Sequence, residues 1–390
     1  MPVSVFTIAA DRPFLDALVT GMRATAGDDP LALARTTVLL PTRRAARSLA
    51  EAFLRQSAGR ALLLPRLVPV GDVDVEELGF LADGDAALDG FDLPPAVPVL
   101  QRELALTRLV LAFGRARGSG PLSAGQAAPL ARALARFLDE VETEGGDFAR
   151  LGELVPEEHA AHWQEVLAFL AIVSEQWPRH LAELGCLDPA LRRNRLLAAQ
   201  ADAWRRRPPA HLVIAAGLTA GVAGVAELLA AVAALPRGCV VLPGLDRTAD
   251  AASWAAIAAD PAHPQHLMAR LLARLEVTPA EVREWGERPA APAPRLRLVA
   301  EALRPAAESD RWRQPVGIDA GTLAGLRRLD GAGPQEEATV IALLLRQALE
   351  TPGKTAALVT PDRGLARRVA AELRRWSIDI DDSAGLPLDQ

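Results

Sequence analysis

The chain has 390 residues, 50% of them apolar and 24% charged, with a formal net charge of −6 and a mean hydropathy of +0.13. At about 150 residues per domain this is enough for two or three domains with real cores, and the composition excludes a disordered or collagen-like chain. Lys354 is the sole lysine among 43 basic residues, so a phosphate-binding P-loop, a Schiff base or a nuclease motif ending in Glu-x-Lys has one position open to it.

Val3 to Ala10 is β-branched and alternating and predicts a strand; Asp11 then reads as an N-cap and Pro13 as the first turn of a helix to about Thr25. A second unit follows: strand Thr36 to Leu40, turn Pro41-Thr42, helix Arg43 to Gln56. Leu62 to Pro65 and Val68 to Val70 suggest a third short strand. Short loops between β–turn–α units predict a parallel α/β sheet.

From about Pro98 to Trp204 strand signals give way to helical periodicity over Leu100 to Phe113, Ala127 to Glu144, His159 to Leu184 and Asp188 to Trp204. Such a block between α/β segments reads as an insertion. The α/β pattern resumes with strand His211 to Ala216, helix Gly221 to Leu235 and strand Cys239 to Leu242. The apolar run Leu212 to Leu235 is long enough for a membrane span, but Gly217, Gly221, Gly224 and Glu227 interrupt it, which predicts a buried strand–turn–helix in a soluble protein.

Arg288 to Pro294 reads as a linker. A last unit comprises a helix Gln335 to Glu350, a strand Thr355 to Thr360, a helix Arg363 to Trp376 and a strand start at Ile378 to Ile380, so that a domain is opened and not closed by Gln390. A shift of 320 positions lays Val38-Leu39-Leu40-Pro41-Thr42-Arg43 on Leu358-Val359-Thr360-Pro361-Asp362-Arg363, an internal echo of one strand–turn–helix. The domain plan is therefore 1–97 with 205–287 as a first domain, 98–204 as a helical insertion, 288–332 as linker and 333–390 as the start of a second domain.

Catalytic motifs fail one by one. Gly353-Lys354-Thr355 ends like a P-loop, but the required earlier glycine is Ala348 and the helix precedes rather than follows. The acid expected two residues before the lysine of a nuclease is Pro352. The pairs Glu76-Glu77, Glu157-Glu158, Glu336-Glu337 and Asp381-Asp382 lack a positioned partner, and His263 with His266 lack a third ligand. Cys186 and Cys239 stand 53 residues apart with no metal spacing, as suits buried thiols in a reducing cytoplasm.

What remains is basic. Arg43, Arg44 and Arg47 follow one strand-to-helix turn, and Arg363, Arg367 and Arg368 follow its echo, where helix N–H groups and guanidinium forks can hold a backbone phosphate. A second cluster, Arg192, Arg193, Arg195 and Arg205 to Arg207 beside Trp204, has the composition of a single-strand contact.

Taken together, Thr37 to Arg47, Leu64-Pro65-Arg66-Leu67, Val240 to Asp246, Asp260 to Gln265, Leu358 to Arg363 and Asp381 to Gly385 resemble the AddB family, the partner subunits of AddAB helicase–nucleases in their alphaproteobacterial form. The resemblance implies an α/β, superfamily-1 helicase-like fold with RecA-like parallel-sheet domains, an all-helical insertion and an incomplete second RecA-like domain. It implies DNA contacts at Thr42, Arg43, Arg44, Arg47, Asp362, Arg363 and Arg367. The nucleotide seat would follow the first strand at Ala9 to Pro13, where no glycine-rich loop or lysine stands, and the magnesium-holding acids of a later strand are replaced by Ala215-Ala216-Gly217.

The expected function is therefore DNA handling without an ATPase or nuclease site of its own, in the cytoplasm, on duplex ends and single strands during double-strand break repair, beside an AddA-like motor and away from membranes. An iron–sulfur cluster and a divalent metal are expected only in a C-terminal part beyond these residues. The alternative is a stand-alone two-domain α/β enzyme with a nucleotide-type ligand in an interdomain cleft. A third reading is a structural subunit that binds its motor and touches DNA little.

Overall fold

The structure is a computed structural model and describes residues 3–27, 29, 31–71, 93–116, 122–148, 150, 160–286, 293–314 and 317–385. The chain divides into two compact units, Met1–Ile318 and Asp319–Gln390.

The first unit is built on a parallel six-stranded sheet. Its strands are β1 (Val5–Ile8), β2 (Thr37–Leu40), β3 (Arg66–Pro69), β4 (Val213–Ala216), β5 (Gly238–Pro243) and β6 (Arg283–Glu284), in the spatial order β3-β2-β4-β5-β1-β6. The register is set in parallel ladders such as Val5 with Val240 and Val38 with Ile214. Side chains alternate between two cores as the pleat requires. Val38, Leu40, Ile214, Ala216 and Val241 face helices α1 (Phe14–Ala26) and α2 (Arg43–Ser57). Leu39, Val213, Ala215, Val240 and Leu242 face the opposite layer. Both faces are thus covered, which accounts for the nearly continuous apolar strands read from the sequence.

The insertion carries its own core between α3 (Val99–Ala116), α4 (Ala124–Glu144), α5 (Ala160–Ala171) and α6 (Trp177–Leu184). One helix was expected from His159 to Leu184; His159 lies outside the described residues, and the rest is broken by a π-helical turn at Ile172–Gln176. Pro178 explains the break, because it lacks an amide hydrogen and its ring crowds the carbonyl of Ser174. At the heart of this core Arg102 pairs with Asp188 (3.0 Å) and Asp139 (2.9 Å), while the Trp177 indole N–H donates to Asp188 at 3.1 Å. Asp188 also caps α7 (Pro189–Arg206), whose later half packs on the sheet layer with α8 (Ala223–Ala234), α9 (Ala251–Ala259) and α10 (His266–Arg274).

Several local expectations are corrected. Asp11 does not cap α1; the cap residue is Pro13, and Ala9 to Arg12 close a turn through Arg12 N–H to the Ala9 carbonyl. Leu62 to Pro65 lie outside the third strand, which starts at Arg66. Within the segment read as linker, α11 (Pro294–Ala302) and a 3₁₀ helix (Ala306–Arg313) are tied to α9 through Arg304 with Ser253 and Arg311 with Asp250.

The second unit holds α12 (Pro334–Leu349) and α13 (Arg363–Arg374), packed through Ala338, Ala342, Leu365, Val369 and Leu373. Neither Thr355 to Thr360 nor Ile378 to Ile380 forms a strand. A strand needs a ladder partner, and among the described residues of this unit none is offered.

Candidate functional site

In open parallel sheets, ligands bind beyond the carboxyl ends of the strands, where successive helices leave on opposite faces. This sheet has two such points. At β2 and β4, α2 departs to one core and α8 to the other; at β5 and β1, α9 and α1 do the same.

The β2–β4 crevice presents the first expected site. Thr42 is extended (φ −144°, ψ 162°) and its hydroxyl accepts the Ala45 N–H at 3.1 Å, so it is the N-cap of α2. The Pro41 carbonyl is held by Gly71 N–H at 3.0 Å, which pins the turn to the chain leaving β3. Arg43 and Arg44 project from the first turn of α2 and Arg47 from the next, all exposed, while Leu49, Ala52 and Phe53 anchor its other face. The sequence placed these four residues together correctly because cap, turn and helix are local.

The β5–β1 crevice opens into a hollow of about 770 Å³ between the strand ends and α11. Gly244 is left-handed (φ +63°), and a Cβ there would lie 2.9 Å from Ala10 Cβ, so the two strand ends meet closely. The Gln265 amide bridges the loop after β5, donating to the Gly244 carbonyl (3.1 Å) and accepting Asp246 N–H (2.9 Å). Thus the segments Val240 to Asp246 and Asp260 to Gln265 form one structure. Ala9 N–H donates to Glu284 Oε1 at 3.2 Å, and the other carboxylate oxygen pairs with Arg247 at 3.4 Å. The amide hydrogen of Ala9 in the turn after β1 is therefore taken by the chain's own carboxylate. Asp11, Asp246, Glu301 and Glu308 also line the hollow, against Arg247, Arg297 and Arg304. This excess of acid disfavours a polyphosphate.

Along α11 and its C-cap the apolar positions Leu296, Val299, Ala300 and Leu303 line the hollow at helical spacing, and none of the residues of this helix is fully buried. Asp250, the cap of α9, accepts Ser253 N–H at 2.8 Å and pairs with Arg311; these bonds bring its pKa down to about 2.

In the second unit Asp362 caps α13, accepting Gly364 N–H at 2.7 Å. Arg363 is engaged bidentately by Asp382 (2.9 and 3.0 Å), and Arg367 Nε reaches the Arg363 carbonyl at 3.4 Å. Arg368 lies 3.9 Å from Asp362. The echo therefore reproduces the capped turn with a carboxylate already on its leading arginine.

The Arg205 cluster loses its aromatic and has three of its arginines engaged within the protein, while Arg195, Arg206 and Arg207 stay exposed. Trp204 is 4% exposed and belongs to the sheet core, so it cannot stack on a base. Arg205 pairs with Asp202 and Glu227, Arg192 Nε donates to the Pro94 carbonyl, and Arg193 bonds Thr143. His263 Nδ1 accepts Gln265 N–H and His266 Nδ1 lies 3.3 Å from the Ile257 carbonyl, so both rings serve their loop. Lys354 sits in an exposed turn, and no helix begins after it before Arg363.

Cys239 is buried within β5 as expected, but Cys186 is only half-buried against the edge of the insertion core, and the pair does not fit a shared cluster; burial pushes the Cys239 thiol up to about 12. Among the described residues no three His, Cys, Asp or Glu side chains gather around a metal position, and no helix is long and apolar enough to cross a membrane.

Sequence reading missed Glu284, Arg247, Gln265 and Asp382 as parts of these sites. Glu284 and Ala9 are 275 residues apart, and no local pattern marks such a contact. No family model matches the chain, and no curated protein matches it.

Proposed function

We propose that this chain is the motor-less, DNA-handling portion of a subunit resembling AddB: a RecA-like, helicase-type first domain with a helical insertion, followed by the beginning of a second such domain. The observation that carries the reading is the Thr42-capped turn, which sets Arg43, Arg44 and Arg47 at a helix N-terminus in a switch-point crevice. Exposed guanidiniums beside the positive end of the α2 dipole suit a backbone phosphate. The strand order supports it too, since β4 and β5 lie between β1 and β2, whereas the dinucleotide-binding order makes the first two strands neighbours. Glu284 on Ala9 N–H supports a lost nucleotide seat. On this reading the protein works in the cytoplasm on duplex ends and single strands, an AddA-like subunit supplies the motor, and the iron–sulfur cluster and nuclease metal belong to another part of the parent protein.

The test is fluorescence anisotropy with a tailed duplex between 50 and 200 mM salt. Wild type binds with strong salt dependence; Arg43→Ala with Arg47→Ala weakens binding and lowers the salt slope by about two. An unchanged affinity removes the turn from the argument. The chain hydrolyses no ATP, and a turnover abolished by Lys354→Ala would overturn that.

A second reading rests on the hollow at β5–β1, whose size is that of a small-molecule site. A rise in melting temperature with adenosine, an uncharged nucleoside, would favour it over the DNA reading.

A further inference from the structure

Arg363 opens α13, and Arg367 and Arg374 follow it at i+4 and i+11, so the three guanidiniums share one stripe of the helix. They line a hollow of about 780 Å³, closed on the other side by Ile378 to Ile380, Asp382, Ala384 and Gly385. Among the described residues Arg367 and Arg374 have no carboxylate partner. The fork of Arg363 is filled by Asp382, whose Oδ1 also accepts Ala384 N–H at 2.9 Å.

A carboxylate held by both ends of a guanidinium takes the geometry that a phosphate takes. It does so at a helix N-terminus, where backbone N–H groups and the helix dipole favour an anion. The pair is partly exposed, with Arg363 at 44% and Asp382 at 20%, and solvent screening leaves such pairs easily exchanged. The carboxylate therefore fills the fork but only part of a hollow that two further arginines and one further acid, Asp379, line.

We propose that this hollow is a phosphate site plugged by the chain's own carboxylate: Asp382 holds the place of a nucleic-acid backbone phosphate on Arg363 and yields it when single-stranded DNA binds. The proposal rests on the DNA reading above and adds to it a residue that opposes binding, together with Arg374 as a further contact. It also gives the segment Asp381 to Gly385 a role, since through Asp382 it meets the turn Leu358 to Arg363.

The experiment titrates a labelled 20-mer of deoxythymidine with the whole chain at 50 mM salt. Asp382→Asn keeps an acceptor for Ala384 N–H and removes the charge; it binds about five-fold tighter than wild type. Arg363→Ala binds more weakly, and adding Asp382→Asn to it restores nothing, because the gain passes through Arg363. Asp382→Ser is the second variant should the amide perturb the loop, with circular dichroism checking the fold of each. If wild type binds and neither Asp382 variant binds tighter, the plug is overturned and the DNA reading stands. If neither wild type nor any variant binds, both fall.

Discussion

The carboxylate of Glu284 accepts the amide hydrogen of Ala9 at 3.2 Å, joining the turn after β1 to the last strand of the sheet across 275 residues. The Glu284 side chain is 8% exposed; without it the part-buried Ala9 N–H loses its acceptor, while the exposed Arg247 turns to solvent. Glu284→Ala is expected to lose about 1 kcal/mol in urea unfolding, and Glu284→Gln less because it keeps an acceptor. Neither variant gains ATP hydrolysis, since the turn still lacks lysine and glycines. A variant as stable as wild type would show that the contact contributes little.

Gly21 lies under the Trp285 indole: an added Cβ would stand 2.2 Å from Trp285 Nε1. That ring packs edge-on to Phe6 and donates to the Leu18 carbonyl at 3.3 Å, so it has no room to retreat. By propensity Gly21→Ala should stabilise α1 by up to about 1 kcal/mol. Overpacking is expected to reverse the sign, to a loss of about 2 kcal/mol with altered tryptophan fluorescence. A raised melting temperature would refute the close packing.

Arg102 is the only cation among the described groups that contact Asp188, which is 2% exposed. Arg102→Ala leaves that acid buried without its partner and is expected to destabilise the helical insertion by about 3–5 kcal/mol, read as early loss of helical signal on heating. Arg132→Ala breaks an exposed pair with Glu103 and should cost under about 1 kcal/mol.

Asp250 carries a pH dependence whose sign follows from its depressed pKa of about 2. Between that value and the unfolded carboxylate near 3.9 the unfolded chain binds more protons, so the contribution of Asp250 is complete above the unfolded pKa and disappears as pH falls towards 2. The stability gap between wild type and Asp250→Asn should shrink steadily from pH 5 to pH 2.5. A gap independent of pH would mean that the Ser253 cap and the Arg311 pair do not favour the ionised form.

The local elements were legible without any structure. Alternation marked β1, apolar runs marked β2, β4 and β5, and helical period marked α1 to α8 apart from the break between α5 and α6, while Thr42 and Asp362, read only as turn residues, turned out to be the caps. The turn arginines were found because cap, turn and first helical turn are made within a few residues of one another.

What the tertiary structure alone decided are relations between distant segments. Strand order, and with it the two switch-point crevices, depends on which strands pair, and pairing energies are not written in either strand singly. Thr355 to Thr360 has strand composition but forms none, because composition does not supply a ladder partner. Trp204 was read as a base-stacking surface and is buried, since one helical face looks the same whether it meets solvent or a sheet. Glu284 on Ala9 and Asp382 on Arg363 are decided the same way: each carboxylate finds its partner only after the intervening chain has folded.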